Sequence, residues 1–488
     1  MPGNAIDTGR PGGRARIAGA ALACTLASVV VVLLAVSSAD RATAQRGERP
    51  NVVVVMTDDQ AVEQLRVMDQ VLARIGRRGT TFASSVVNWP TCCPSRVTFL
   101  TGQYAHNHGV LGNLPPRGGF RAFDDSSSLA TWLEDAGYRT ALVGKYLNGY
   151  GRRRYVPPGW TQWYAAGDGG RVYDYALNEN GRLVSYGTEP EDFKQDVLTE
   201  KAAGLIDRWA PGRRPFFLFL AYTAAHVGGP NPNPNPPNDC DGFAKPAPRH
   251  ANVFDDEPLP RPPSFDEADV SDKPAKVRAL PRLTPERVAE IEREYRCRLE
   301  SLLSVDEGVE EIARTLIRRG ELRDTYLIFT SDNGYFHGEH RIPTAKGWLY
   351  EEAIRVPLLI RGPGFPNGAR TPVPAINADL APTIADLTGA EPALAMDGRS
   401  LLRLARRPRL GRGRQLLIEN AGRRYAAIRT RRYLYARHDG GAKELYDLRE
   451  DPYQLRSRHD APAFAQVKAR LAARLAQLRD CAGRSCRN

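Results

Sequence analysis

The chain is poor in histidine, in cysteine and in long apolar segments. Of its 488 residues, eight are histidine and seven are cysteine. Beyond residue 44 no run is apolar enough to span a bilayer. No histidine or cysteine pair stands at zinc-ligand spacing, which disfavours a zinc centre. With 42% hydrophobic and 25% charged residues, the composition excludes a wholly disordered chain.

Positive charge is in excess, and it comes from arginine. The 68 basic and 56 acidic residues give a net charge of +12, and only nine of the basic residues are lysine. The arginines are scattered along the sequence, so we expect no nucleic-acid groove. A basic surface nevertheless favours anionic substrates or polyanions by electrostatic steering.

The N-terminus predicts export. Three arginines precede the apolar run Ile17–Val36, and Ala42–Ala44 offers a small-residue cleavage site. We therefore predict a signal peptide over residues 1–44 and a secreted or cell-surface protein. The run is long for a signal peptide, so an uncleaved membrane anchor is the alternative, and only then would the protein contact a membrane.

Six cysteines remain beyond this segment. Cys92 and Cys93 are adjacent, and the other four are an even number in an oxidising compartment. Of the three possible pairings of those four we expect Cys240–Cys297 and Cys481–Cys486. Free, buried thiols are the alternative.

The pattern of apolar runs predicts an α/β fold. Continuous apolar runs, typical of strands buried on both faces, lie at Val52–Met56, Thr140–Val143, Phe216–Ala221, Tyr326–Phe329 and Val356–Ile360. Helical patterns at Ser126–Ala136 and Pro285–Arg319 alternate with them. We expect a large, mostly parallel sheet flanked by helices over residues 48–410. Residues 228–284, rich in proline and asparagine, read as a long surface insertion that borders the active site.

Residues 411–488 predict a smaller C-terminal α+β subdomain. Tyr425–Thr430 and Arg432–Arg437 have the pattern of a hairpin, and Ala461–Arg479 that of a helix.

Polar side chains follow four of the predicted strands. Asp58 and Asp59 follow the first, Lys145 and His226 follow the next two, and Asp332–Asn333 follow the fourth. The carboxyl ends of parallel strands meet at one edge of a sheet, so we expect one shared site. Its oxygen donors favour calcium, with magnesium possible, over zinc. Turn formation and capping would explain any one of these residues alone.

The segment Cys92-Cys93-Pro94-Ser95-Arg96, followed by Leu100-Thr101-Gly102, resembles the type I sulfatases of the alkaline phosphatase superfamily. Segments at 52–59, 144–145, 331–334, 346–351 and 444–452 stand in the order of that family. The resemblance implies an alkaline phosphatase-like fold, and oxidation of Cys92 to formylglycine by a separate formylglycine-generating enzyme. The hydrated aldehyde has two hydroxyls, one to attack sulfur and one to expel sulfate afterwards. A structural thiol pair or a vicinal metal site is the other interpretation of Cys92-Cys93.

The resemblance also implies individual roles. Asp58, Asp59, Asp332, Asn333 and the modified Cys92 would hold the metal. Arg96 would pair with the modified residue, Lys145 and Lys346 would bind sulfate, and His226 would protonate the leaving oxygen. Many sulfatases have a histidine where this chain has Leu147, and we consider His106 or His108 as its replacement. We expect the substrate to be bound by His106, His108, Asn148, His337 and His340.

Two stretches, Leu100–His108 and Gly144–Asn148, resemble N-acetylglucosamine-6-sulfatases and heparan 6-O-endosulfatases. The resemblance implies hydrolysis of carbohydrate sulfate monoesters, with sulfated saccharides or aryl sulfates as substrates. An arylsulfatase of broad specificity and a formylglycine-dependent phosphonate or phosphate ester hydrolase are the alternatives. A non-catalytic binder of sulfated glycans is the alternative from another functional class.

Overall fold

The computed structural model describes residues 49–487 except 152, 168–169, 213 and 229–239, together with Gly3 and Gly9. Apart from those two glycines, the expected signal or anchor segment, residues 1–44, lies outside the described residues. Among the described residues no helix is both long and apolar enough to cross a membrane.

Fourteen strands and eleven α-helices are named here in chain order among the described residues. The strands are β1 (Asn51–Thr57), β2 (Thr80–Val86), β3 (Arg139–Lys145), β4 (Gln162–Ala166), β5 (Tyr175–Glu179), β6 (Arg182–Tyr186), β7 (Phe216–Ala221), β8 (Thr325–Ser331), β9 (Leu358–Arg361), β10 (Ala369–Ile376), β11 (Gln415–Asn420), β12 (Tyr425–Thr430), β13 (Tyr433–His438) and β14 (Lys443–Asp447). The helices are α1 (Asp69–Val71), α2 (Cys92–Thr101), α3 (Ala105–His108), α4 (Leu129–Asp135), α5 (Lys194–Trp209), α6 (Ala275–Arg278), α7 (Pro285–Arg318), α8 (Glu351–Ile354), α9 (Leu380–Thr388), α10 (Leu402–Arg406) and α11 (Ala465–Arg479).

The large sheet has ten strands in the order β10-β2-β9-β8-β1-β7-β3-β4-β5-β6. Its centre is parallel: β1 pairs with β7 and β8, and Val54 lies opposite Phe219 and Ile328. The predicted mostly parallel α/β fold is therefore confirmed. The strand expected at Val356–Ile360 is β9, which runs antiparallel to both β8 and β2. An apolar run predicts a buried strand but not its direction.

Alternate residues of β1 enter two different hydrophobic cores. Val52, Val54 and Met56 face a core that includes side chains of α2, α4 and α9. Val53 and Val55 face the opposite core, formed with α5 and α7. The strand is thus buried on both faces, as its continuous apolar run predicted.

The predicted helices exist with shifted ends. Helix α7 begins after the N-cap Thr284, whose hydroxyl accepts a hydrogen bond from Arg287 N, and ends just before Gly320, which has a φ of +76°. Helix α4 begins at Leu129 rather than Ser126, because Ser128 is the N-cap and its N–H donates to Thr131 Oγ1 at 3.0 Å. A 3₁₀ turn at Pro462–Phe464 precedes α11, so α11 begins at Ala465 rather than at Ala461.

The C-terminal subdomain is an antiparallel sheet, β11-β12-β13-β14, packed with α11. The predicted hairpin is β12–β13, with its second strand at Tyr433–His438. The disulfides Cys240–Cys297 and Cys481–Cys486 pair as the sequence predicted.

The described part of the insertion, residues 228 and 240–284, is irregular apart from α6 and a 3₁₀ turn at Pro248–His250. It is not purely a surface loop, because Ser264 and Val277 are fully buried. Lys273 Nζ donates to Glu267 Oε1 at 3.0 Å and to the carbonyl of Leu455 at 2.9 Å, which ties the insertion to the C-terminal subdomain.

Candidate active site

The polar residues predicted to converge come from four neighbouring central strands. Asp58–Asp59, Asp332–Asn333 and Lys145 lie at the carboxyl ends of β1, β8 and β3, and His226 lies five residues beyond β7. Carboxylate oxygens of Asp58, Asp59 and Asp332 all lie within 4.8 Å of one another. The parallel sheet therefore brings these residues to one edge.

Cys92 reaches this cluster from the first position of α2. Its thiol is buried and lies 3.5 Å from Asp58 Oδ1, and Lys346 Nζ donates to its sulfur at 2.9 Å. Burial and the charge of Asp58 raise the pKa of the thiol to about 12. Cys92 is therefore a protonated thiol near neutral pH and a weak nucleophile in that form.

Three cations surround the carboxylates. Arg96 lies one turn along α2 from Cys92, and its Nε donates to Asp332 Oδ2 at 2.8 Å. Lys145 binds Asp58, and Lys346 Nζ donates to Asp59 Oδ1 at 2.5 Å. Burial opposes the charge of Asp58, but these cations outweigh it and hold its pKa well below the ordinary value.

Arg298 is a fourth cation that the sequence analysis missed. It is fully buried on α7, donates to the Asp59 carbonyl and stacks 3.8 Å from the ring centroid of Tyr335. The sequence feature that could have revealed it is an arginine between Tyr295 and Leu302, within the apolar face of the helix. A buried arginine at such a position needs partners, and here one of them is the backbone of the site.

The carboxylates and Asn333 have the donor set of a hard-cation site. Burial and the charge of Asp58 raise the pKa of Asp332. Asn333 Oδ1 is buried and has no hydrogen-bond partner among the described residues. Three carboxylates and an unpartnered amide oxygen fit Ca²⁺ or Mg²⁺.

His226 borders a narrow cavity next to Asp58 and Lys145. Its Nδ1 lies 3.1 Å from the Val227 carbonyl, and its Nε2 lies 3.7 Å from Asp59 Oδ2. If Nδ1–H donates a hydrogen bond to this carbonyl, Nε2 is the ring nitrogen that faces the carboxylates. Leu147, Asn148 and Thr223 also line this cavity.

The four other histidines expected at the substrate are held elsewhere. His106 Nδ1 lies 3.0 Å from Glu419 Oε1, and its Nε2 lies 2.8 Å from the Cys481 carbonyl. His108 Nε2 bonds Thr98 Oγ1, and its Nδ1 accepts the Val110 N–H. Both rings are engaged within the protein, so neither replaces the histidine absent at position 147.

His340 and His337 are also buried away from the carboxylate cluster. His340 is fully buried with its Nδ1 2.6 Å from Glu267 Oε2, so the expectation that it contacts substrate is wrong. His337 packs against Tyr295 and lines a separate cavity with Glu63. Glu419 and Glu267, which contact His106 and His340, lie 313 and 73 residues away in the sequence, so short sequence patterns do not predict these contacts.

Comparison with known proteins identifies the family. Residues 50–390 match the Sulfatase family model, and residues 338–481 match the C-terminal model of N-sulphoglucosamine sulphohydrolase. The chain belongs to the sulfatase family. Relatives in this family are named as sulfatases, which are sulfuric ester hydrolases.

Relatives cover different shares of this sulfatase. It is 31% identical to the N-acetylglucosamine-6-sulfatase of Capra hircus over 496 residues, which cover 91% of this chain and 86% of the relative. It is 34% identical to the extracellular sulfatase SULF-1 homolog of Drosophila melanogaster over 399 residues, or 78% of this chain. It spans only 34% of that protein's length and 49% of the length of a Caenorhabditis elegans counterpart.

The fold is shared with solved sulfatases. The structure of BT4656 in complex with its substrate D-glucosamine-2-N,6-O-disulfate superposes with a TM-score of 0.74. The match covers 88% of this chain and 97% of that chain at 23% sequence identity. At this identity the likeness shows that the fold is shared, and it does not show the substrate.

Proposed function

We propose that this sulfatase hydrolyses 6-O-sulfate monoesters of N-acetylglucosamine-type sugars, with formylglycine made from Cys92. The observation that carries the proposal is the position of Cys92. It starts a buried helix, touches Asp58 and Lys346, and lies beside the proposed metal ligands. A helix N-terminus adds a favourable field for an anion at this point.

The side chains around Cys92 suit transfer of a sulfuryl group. Lys145 and Lys346 approach the cluster from two sides and would neutralise sulfate oxygens as charge develops. Arg96, fully buried on Asp332, would keep the carboxylates oriented. When formed, the hydrated aldehyde supplies one hydroxyl that attacks sulfur and a second that releases sulfate. A Ca²⁺ or Mg²⁺ ion held by Asp58, Asp59, Asp332 and Asn333 would lower the pKa of the attacking hydroxyl.

We infer that His226 is the general acid. The side chain is 30% exposed and its Nε2 lies 3.7 Å from the buried Asp59 carboxylate, so solvent and the site can both reach the ring. A sugar alkoxide is a poor leaving group, so protonation of the leaving oxygen matters most for carbohydrate substrates.

The proposed substrate class rests on the family and on the shape of the site. The cavity beside Lys145 and His226 is small, about 40 Å³, which suits a single sulfate group better than a whole sugar ring. N-acetylglucosamine-6-sulfatase relatives cover most of this chain. Asn148 and Thr223 line the cavity and are the candidates for sugar contacts.

The experiment uses protein produced together with a formylglycine-generating enzyme. Initial rates would be compared on N-acetylglucosamine 6-sulfate, galactose 6-sulfate, an aryl sulfate and the matched aryl phosphonate monoester. We expect kcat/KM to be highest for N-acetylglucosamine 6-sulfate among the sugars, and the aryl sulfate to outpace the phosphonate. The Cys92→Ala variant, produced with the same enzyme and purified in parallel, is the control for contaminating activity. Faster phosphonate cleavage would refute the proposal.

We also propose that the protein is exported. The N-terminal segment is typical of a signal peptide, and two disulfides suit an oxidising compartment. Edman sequencing of protein from the culture medium should find a new N-terminus near residue 45. Retention of the intact N-terminus in the membrane fraction would support the anchor instead.

A further inference from the structure

Two adjoining cavities on the sulfatase are lined by arginine. Their volumes are about 490 and 610 Å³, and they share Arg78, Leu322, Arg361 and Asn367. Together they define what we call the arginine groove, whose charged members are Arg74, Arg77, Arg78, Arg323, Arg361 and Arg406. These residues are scattered in sequence, and the fold gathers them.

The positive charge of the groove is largely uncompensated. Among the described residues, no aspartate or glutamate lines either cavity. Arg74 forms an ion pair with Glu310 at 2.5 Å, but the other five guanidinium groups form none with a described carboxylate. Burial, together with the like charges of Arg78 and Arg74, lowers the pKa of Arg361. An anion in the groove would relieve this repulsion.

One wall of the groove is built from a constrained loop, residues 362–366. Tyr326 Oη donates to the Pro363 carbonyl at 2.9 Å, and Phe365 is buried against the Tyr326 ring. Gly364 has a φ of +90° and lies under the Arg406 guanidinium, where a Cβ would collide. Arg406 Nε donates to the Gly364 carbonyl at 3.2 Å, so the backbone itself orients this arginine.

The groove lies at the opposite edge of the sheet from the active site. Arg77–Arg78 precede β2 and Arg323 precedes β8, whereas Asp332 follows β8. A seven-residue strand is about 20 Å long. The groove therefore cannot touch a sulfate group that is bound at Cys92.

We propose that the arginine groove is an exosite that binds sulfated or uronic-acid polysaccharide chains. The choice of a polysaccharide rests on the proposed function, while anion binding rests on the groove alone. Guanidinium forks match sulfate and carboxylate groups. Single-stranded nucleic acids bind on exposed aromatic side chains, whereas Phe365, the aromatic side chain lining these cavities, is buried.

A second arginine-lined cavity, near Arg412 and Arg470, is more compensated. Two of its members, Arg414 and Arg432, form ion pairs with Asp379 and Asp447. It therefore offers less unpaired positive charge per arginine than the arginine groove.

An exosite would hold a long chain near the enzyme and raise its effective concentration at the active site. It would lower KM for long sulfated chains and leave a monosaccharide sulfate unaffected. This difference in KM between long and short substrates distinguishes an exosite from a subsite of the catalytic pocket.

The test uses heparin dodecasaccharide and the Cys92→Ala protein, so that binding is measured without turnover. Arg77, Arg78 and Arg323 are exposed and would be changed together to alanine. The control changes Arg182, Arg437 and Arg479, also exposed and outside the groove, which removes the same charge. By calorimetry in 0.1 M salt we expect Kd to rise at least about tenfold for the groove variant and less than about twofold for the control.

Equal weakening by both variants, or by neither, would overturn the proposal. Tighter binding of a single-stranded DNA of equal charge would overturn the choice of ligand. Should the groove variant fold poorly, arginine modification of the parent protein replaces it: the dodecasaccharide should protect Arg77, Arg78 and Arg323 from phenylglyoxal, and unprotected arginines there would contradict the exosite. Because binding is read without catalysis, failure of the proposed function leaves this result interpretable.

Discussion

Replacing Lys346 by methionine removes one charge and nearly preserves shape at the centre of the site. Its Nζ lies 2.9 Å from Cys92 Sγ and 2.5 Å from Asp59 Oδ1. Burial opposes its charge, yet Asp59 and Cys92 raise the pKa of Lys346 well above its ordinary value, so it is an ammonium in the working enzyme. Loss of one preorganised donor to a developing anion costs about 2.7–4 kcal/mol, or about 10²–10³ in kcat.

The matched control is Lys201→Met. The Lys201 side chain is 20% exposed, close to the 18% of Lys346, and forms an ion pair with Glu179 at 2.9 Å away from the site. Both variants lose a comparably buried ion pair, so their melting temperatures report the shared structural cost. We expect sulfate release at 25 °C to fall about 10²–10³-fold for Lys346→Met and less than about threefold for Lys201→Met. Equal losses in the two would refute the catalytic role of Lys346.

Three further outcomes follow from the site and its surroundings. His226→Gln should slow the hydrolysis of sugar sulfates by about 10²–10⁴-fold and the hydrolysis of an activated aryl sulfate far less. Equal slowing of both reactions would contradict the general-acid role. Chelation of the bound cation should abolish turnover and lower the melting temperature. Adding the cation back at 100 times its Kd should restore about 2.7 kcal/mol of the free energy of unfolding. Rescue by zinc but not by calcium or magnesium would exclude the oxygen-donor site. Burial lowers the pKa of His106, but the hydrogen bond to Glu419 outweighs it and raises the pKa to about 9. The folded state therefore binds this proton more tightly than the unfolded state does. The protonated His106 stabilises the fold fully below about pH 6.5, and this stabilisation is lost as pH rises through 9. His106→Gln should lower the melting temperature at pH 6 but not at pH 10, without changing turnover; an equal loss at both would count against the ion pair.

The central strands and the residues at their carboxyl ends could be predicted because both are local signals. A continuous apolar run predicts a buried strand, and charge directly after it marks the edge of a parallel sheet. Asp58, Lys145 and Asp332 were found in this way.

What depends on distant partners could not be predicted. The place of His340 is decided by Glu267, 73 residues earlier, and that of His106 by Glu419, 313 residues later. The direction of β9 and the presence of β4, β5 and β6 on one side of the sheet depend on how the chain returns to the sheet, which short sequence patterns do not encode. The arginine groove is the same kind of case, because arginines from four separate segments meet only in the folded chain.

Mass spectrometry of the tryptic peptide that contains position 92 tests the central claim most directly. Taken from protein matured in its own host, the peptide should carry an aldehyde in place of the thiol, with sulfur exchanged for oxygen and two hydrogens lost, and its abundance should scale with sulfate release across preparations. A fully active preparation in which Cys92 remains an unmodified thiol would contradict the account.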